Sequence, residues 1–114
     1  MIMQDGTQHD TDGFHTTVKE AVRRIVETVQ PQQVILFGSV ARGDSAPDSD
    51  IDLLVVKHCK QRREVAGRIY RALIGVGRAV DVVVVTPEDV ERYRQSRSMV
   101  IAPALQEGRV VYAI

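Results

Sequence analysis

Between Val34 and Val56 two apolar runs are joined by a polar loop, and both junctions carry unusual residues. The first run, Val34-Ile35-Leu36-Phe37, stops at Gly38-Ser39, and the second, Ile51 to Val56, has Asp50 and Asp52 at its head. An apolar run cut off by glycine reads as a buried strand ending where the backbone must turn sharply. Gly38 has no Cβ, so its backbone can approach a ligand closely, and Ser39 offers a hydroxyl where a short helical turn, Val40-Ala41-Arg42, would begin. Free amides at a helix start attract phosphate. The same two residues would also serve if Gly38 only turned the chain and Ser39 only capped a helix.

The carboxylates sharpen the choice. In a strand, residues i and i+2 project from one face, about 6.5–7 Å apart along the backbone. Asp50 and Asp52 therefore point together, while Ile51 between them faces the core. Two like charges at a strand end repel, and a hard divalent cation such as magnesium, which takes oxygen ligands and shares substrate phosphates, resolves that repulsion. Two solvated aspartates in a turn before a strand are the alternative. A further apolar run, Val80 to Val85, contains Asp81 as its single charge. An aspartate at the head of a buried strand needs a partner or a task. If that strand lies beside Leu53 to Val56, Asp81 completes a three-carboxylate cluster, which suits two metal ions clamping an in-line phosphoryl displacement.

Gly38-Ser39, then ten residues, then Asp50-x-Asp52, with Asp81 on a later strand, resembles the signature of the polymerase β-type nucleotidyltransferases. The fuller string Phe37-Gly38-Ser39-Val40-Ala41-Arg42-Gly43, followed by Ser49-Asp50-Ile51-Asp52-Leu53-Leu54-Val55, is similar to their minimal nucleotidyltransferase (MNT) branch. The C-terminal Glu107-Gly108-Arg109-Val110-Val111-Tyr112 resembles the usual ending of that branch. The likeness spans the chain from about Thr16 onward.

That resemblance implies an α/β chain with the nucleotidyltransferase fold, a small mixed β-sheet with helices mainly on one face, and one cleft holding the Gly-Ser turn and all three aspartates. It implies a nucleoside triphosphate, ATP by preference, bound with Mg2+, two ions being expected. Gly38 and Ser39 would hold the phosphates, and Asp50, Asp52 and Asp81 would be the catalytic and metal-binding residues. Arg42 is a nucleotide-binding candidate, although pairing with Asp48 or another loop carboxylate is an equal alternative. Many MNT members pair with a helical HEPN protein as antitoxin and toxin, transferring AMP to a toxin tyrosine, so a HEPN-type partner is the leading expectation. A small-molecule acceptor, as in aminoglycoside-modifying relatives, is the second reading, and an antitoxin acting by binding alone is the third. An RNA acceptor stays open.

Charge and composition bound the rest. Lys and Arg number 15, as do Asp and Glu, so no whole-protein field favours nucleic acid or an anionic membrane. One cysteine, Cys59, excludes an internal disulfide and suits a reducing compartment, and no apolar run nears the roughly 20 residues of a membrane span, so a cytoplasmic protein is expected. There is neither a P-loop nor a Rossmann glycine pattern.

Met1 to His15 lacks periodicity and is expected to be a disordered leader, with residues 16–114 forming one domain. Val18, Val22, Ile25, Val26 and Val29 predict an amphipathic helix over Thr16 to Val29, ended by Gln30-Pro31. A second helix is predicted over Lys60 to Ile74, with a basic outer face from Lys60, Arg62, Arg63, Arg68 and Arg71. That face is either solvated or a contact for RNA or an acidic partner. Thr86-Pro87-Glu88-Asp89 predicts a capped helix start running to about Tyr93. A further helix is expected within Ser96 to Leu105, then a last strand from Arg109 to Tyr112. His9, His15 and the pair His58-Cys59 lack metal-ligand spacing. The whole catalytic core uses nearly all of this sequence, so a partner or a second copy is expected to complete the acceptor side as a homo- or hetero-oligomer.

Overall fold

Val18, Val22, Ile25 and Val29 recur every three or four residues and are buried, which makes helix α1 (His9–Val29) a two-sided element with one face committed to the sheet. In the computed structural model, which describes residues 9–38, 50–95 and 108–114, the elements that follow are β1 (Gln33–Phe37), β2 (Ile51–Val56), α2 (Arg62–Ala72), β3 (Val80–Val85), α3 (Pro87–Gln95) and β4 (Arg109–Ala113). α1 begins seven residues before the predicted Thr16, so residues 9–15 of the expected leader are helical. Once a packed segment has nucleated a helix, each added residue gains a backbone hydrogen bond at little further cost, with or without an apolar stripe. Residues 1–8 and the helix expected within Ser96 to Leu105 lie outside the described residues.

The four strands form one mixed sheet in the order β3-β2-β1-β4. β1 is antiparallel to both β2 and β4, whereas β2 and β3 are parallel. A parallel pair needs a long crossover, and α2 supplies it. α1 and α2 cover one face, burying Val34, Leu36, Ile51, Leu53, Val55 and Val84 under Ile25 and Ile69. On the other face α3 sets Val90 and Tyr93 against Ile35, Leu54, Val56 and Val85. β2 is central and covered on both sides, which is why Leu53 to Val56 is an unbroken apolar run.

Two arginines lock the helix layer. Arg24 of α1 donates from Nη1 to the carbonyls of Ala72 (3.2 Å) and Ile74 (3.0 Å), satisfying the end of α2. Arg68 of α2 donates to the carbonyl of Thr28 at 2.6 Å, near the end of α1. The pairings 24 with 72 and 28 with 68 run in opposite senses, so the two helices are antiparallel. Arg68 and Arg62 of the predicted basic face stay exposed to solvent but take partners on other elements, the latter through an ion pair with Asp89 at 2.5 Å. Among the described residues no helix is long and apolar enough to cross a membrane.

Candidate active site at the strand ends

The turn at Gly38 comes first. Its φ of +80° lies in the left-handed region, which a side chain disfavours. A Cβ at this position would also run into Oδ2 of Asp52, with Cγ of the same carboxylate at 3.2 Å. Glycine is therefore required twice, for the turn and for the space that Asp52 occupies. Composition and motif spacing predicted the turn, but the second requirement depends on strand pairing: Phe37 lies opposite Asp52 in the β1–β2 ladder.

Asp52 is then placed beside Asp81. The parallel ladder of β2 and β3 sets Asp52 directly against Asp81 in register, on neighbouring strands about 4.8 Å apart. An Ile51 amide bonded to the Ala79 carbonyl at 3.0 Å anchors the start of that ladder. Ile51 is fully buried on the helix-layer side, as the alternation requires, so Asp52 and Asp81 share the opposite face. Asp50 stands exposed just before β2, two residues along from Asp52. Ser39 and Arg42, the other nucleotide-binding candidates, lie outside the described residues.

The electrostatics follow from this crowding. Partial burial, then the charge of Asp81, then that of Asp50, push the Asp52 carboxyl above its ordinary value. The like charges of Asp81 and Asp50 favour a cation in the site. Among the described residues no group of three carboxylate, imidazole or thiol ligands closes on one point. Magnesium does not need such a cage, because it is usually held by one or two carboxylates together with substrate phosphates and water. The hard-oxygen pair Asp52 and Asp81, with Asp50 beside it, fits that demand.

Tyr70 is a contributor that periodicity did not single out. From α2 its hydroxyl accepts the Val82 amide at 2.9 Å and donates to the Val82 carbonyl at 3.4 Å. β3 is an edge strand, and this clamp occupies its backbone one residue from Asp81. Such edges are otherwise open to pairing with another chain. An exposed tyrosine at the wrong angle for the core stripe was the available signal. At the opposite end of the sheet, Thr86 and Asp89 form a reciprocal capping box: Asp89 N–H donates to Oγ1 and Thr86 N–H donates to Oδ2, both at 3.0 Å. An apolar cavity of about 640 Å3 between α1 and β4 opens on the helix-layer side, lined by Val22, Val26 and Leu36. It is across the sheet from the carboxylates and is not where a charged substrate would meet them.

Solved structures share this arrangement of elements. A candidate nucleotidyltransferase from Sulfolobus solfataricus is 21% identical, with a TM-score of 0.64, covering 97% of this chain and 92% of that one. A toxin–antitoxin structure containing AMP-PNP is 23% identical, with a TM-score of 0.50, covering 82% of this chain and 72% of that one. At these identities the likeness is one of fold. Among curated protein sequences none matches the chain. The nucleotidyltransferase domain profile matches residues 16–111, taking in both strand ends and Asp81, and the chain belongs to that family.

Proposed function

We propose that the chain transfers a nucleoside monophosphate, AMP from ATP, to a hydroxyl acceptor with release of pyrophosphate, and that the acceptor is a partner protein of the helical HEPN toxin type. The observation that carries the transfer chemistry is the register of Asp52 against Asp81, with Gly38 leaving room for the Asp52 carboxylate. Membership of the nucleotidyltransferase domain family supports the reaction class. Fold likeness to a toxin–antitoxin structure holding AMP-PNP supports an adenine nucleotide and a protein partner. Cys59 as the single cysteine suits the cytoplasm.

In this reading the backbone at Gly38 and the Ser39 hydroxyl hold the phosphates, with Arg42 assisting. Asp50, Asp52 and Asp81 hold Mg2+, which when bound neutralises charge on the phosphates. The acceptor oxygen attacks the α-phosphorus, the bond to the bridging oxygen of the β-phosphate breaks, and pyrophosphate leaves. Asp81, exposed at the rim, takes the acceptor proton. Positioning and charge neutralisation supply most of the acceleration.

The test is incubation with magnesium, α-phosphate-labelled ATP and an extract containing the products of neighbouring genes, beside an Asp50→Asn control. Label on a protein band that depends on Asp50 is the expected result. Label in an RNase-sensitive band would make RNA the acceptor. Absence of transfer with all four triphosphates would leave a small-molecule acceptor or a binding-only antitoxin.

A further inference from the structure

The two facing carboxylates are not equally well held. Asp52 lies on β2, which pairs with β1 on one side and β3 on the other, whereas Asp81 lies on β3, which among the described residues is an outer strand. Asp81 is exposed, so its place is set by the β3 backbone and not by packing of its own side chain. The connection into that strand adds little restraint: Gly75 and Gly77 have φ of +83° and +104°, and a Cβ at either would meet nothing within 4 Å. Successive residues of a strand turn their N–H and C=O groups to alternate sides. The Ile51 amide on the Ala79 carbonyl (3.0 Å) and the Lys57 amide on the Val85 carbonyl (2.8 Å) set the odd-numbered residues of β3 toward β2. Val82 therefore turns its backbone outward, and both of its groups meet the Tyr70 hydroxyl, which accepts the amide at 2.9 Å and donates to the carbonyl at 3.4 Å. Tyr70 is itself anchored, because Ile69 beside it, and Val65 and Leu73 of the same segment, are buried against the sheet.

We infer that Tyr70 is a positioning residue for nucleotidyl transfer: its hydroxyl pins the outer strand at Val82 and so holds the neighbouring Asp81 carboxylate beside Asp52, at the spacing a shared cation needs. The inference rests on the metal-dependent transfer proposed above and adds to it a residue outside the cleft. Tyr70 lies on the helix-layer side and the carboxylates on the other, so the hydroxyl acts through the β3 backbone and its role requires no contact with nucleotide or metal. Magnesium tolerates little error, because it demands near-ideal octahedral geometry at about 2.0–2.1 Å. Productive constellations are held to within about 0.5 Å. β2 has a ladder on each side to supply that precision, whereas β3 has one ladder and this clamp. Without the hydroxyl, Val82 would exchange its two bonds for water, and the strand carrying Asp81 would fray at the residue next to the site.

The experiment compares the full chain with two variants. Tyr70→Phe removes the hydroxyl and keeps the ring, and since Tyr70 is 44% exposed the change leaves the core untouched. Thr86→Ala removes a helix cap at the opposite end of the sheet and controls for lost stability alone. The readouts are Mn2+ affinity without nucleotide, amide hydrogen exchange at Val82, and the Mg2+ dependence of label transfer in the ATP and extract reaction. Tyr70→Phe should speed exchange at Val82 and weaken Mn2+ binding by about tenfold, the low end of the loss when a group supporting a metal ligand is removed. The half-saturating Mg2+ concentration should rise by a similar factor, and Thr86→Ala should leave both metal readouts unchanged. In an Asp81→Asn background, Tyr70→Phe should cause no further loss of Mn2+ affinity. Equal Mn2+ affinity in wild type and Tyr70→Phe, or an equal loss in Thr86→Ala, would overturn the positioning role and leave the transfer reading standing. No transfer by a wild type whose Mn2+ affinity does depend on Tyr70 would overturn the transfer reading and leave the hold on the carboxylate pair intact. No Mn2+ binding by the wild type would overturn both.

Discussion

Replacing Gly38 with alanine should disturb the candidate site by two separable routes. A left-handed backbone costs an L-residue about 1–2 kcal/mol, and Gly38 sits at φ +80°. The new methyl would also meet the Asp52 carboxylate, and turning that side chain off its rotamer costs roughly 0.5–1.5 kcal/mol. Together these predict a loss of about 1.5–3.5 kcal/mol, a urea midpoint lower by roughly 0.5 M or more, because the urea slope for a domain of this size is about 1–3 kcal/mol per M. A double-mutant cycle isolates the second route. In an Asp52→Ala background the obstructing carboxylate is gone, so Gly38→Ala should cost only the backbone part, about 1–2 kcal/mol. Chemical denaturation of the four proteins gives the coupling directly. An equal cost of Gly38→Ala in both backgrounds would refute the contact as the reason for glycine.

Asp81→Asn should abolish nucleotidyl transfer yet raise stability at pH 7 by up to about 1 kcal/mol, since it removes an exposed like charge beside Asp52. Carbon-13 NMR titration should show the Asp52 carboxyl falling from its raised value; an unchanged titration would show that Asp81 is not acting on it. Because Asp52 titrates above its unfolded value, its destabilising effect is complete at pH values above its folded pKa and disappears as pH falls below about 3.8. Thr86→Ala should cost about 1 kcal/mol by removing a helix cap, measured by urea denaturation; no loss would discount the capping box. Burial alone would raise the Asp89 carboxyl, but hydrogen bonds from Thr86 and the charges of Arg62 and Arg92 outweigh it and hold it below its ordinary value. The stability it contributes is present above pH 3.8 and lost as pH falls through its lower folded value, so Asp89→Asn should flatten the acid limb of the stability curve. A wild-type acid limb unchanged in that variant would count against the assignment.

Local pattern alone determined much of this chain. Strands at Val34 to Phe37, Ile51 to Val56 and Val80 to Val85 follow from apolar runs ended by glycine, proline and aspartate. The start of α3 follows from Thr86 and Pro87, and the shared face of Asp50 and Asp52 follows from the two-residue period of a strand. These are statements about neighbours in sequence, where backbone geometry leaves few choices. Only the tertiary structure decided which strand lies beside which. Asp52 and Asp81 are 29 positions apart, and a register shifted by one residue would have placed them on opposite faces. The same pairing brings Gly38 against Asp52, so that a Cβ at this turn would displace the Asp52 carboxylate. The basic residues of α2 look alike in sequence and all are exposed, yet packing gives Arg62 and Arg68 partners on other elements, at Asp89 and Thr28. Periodicity states which way a side chain points along its own element. What it points at is set by burial of the two sheet faces, a property of the assembled layers and of no single segment.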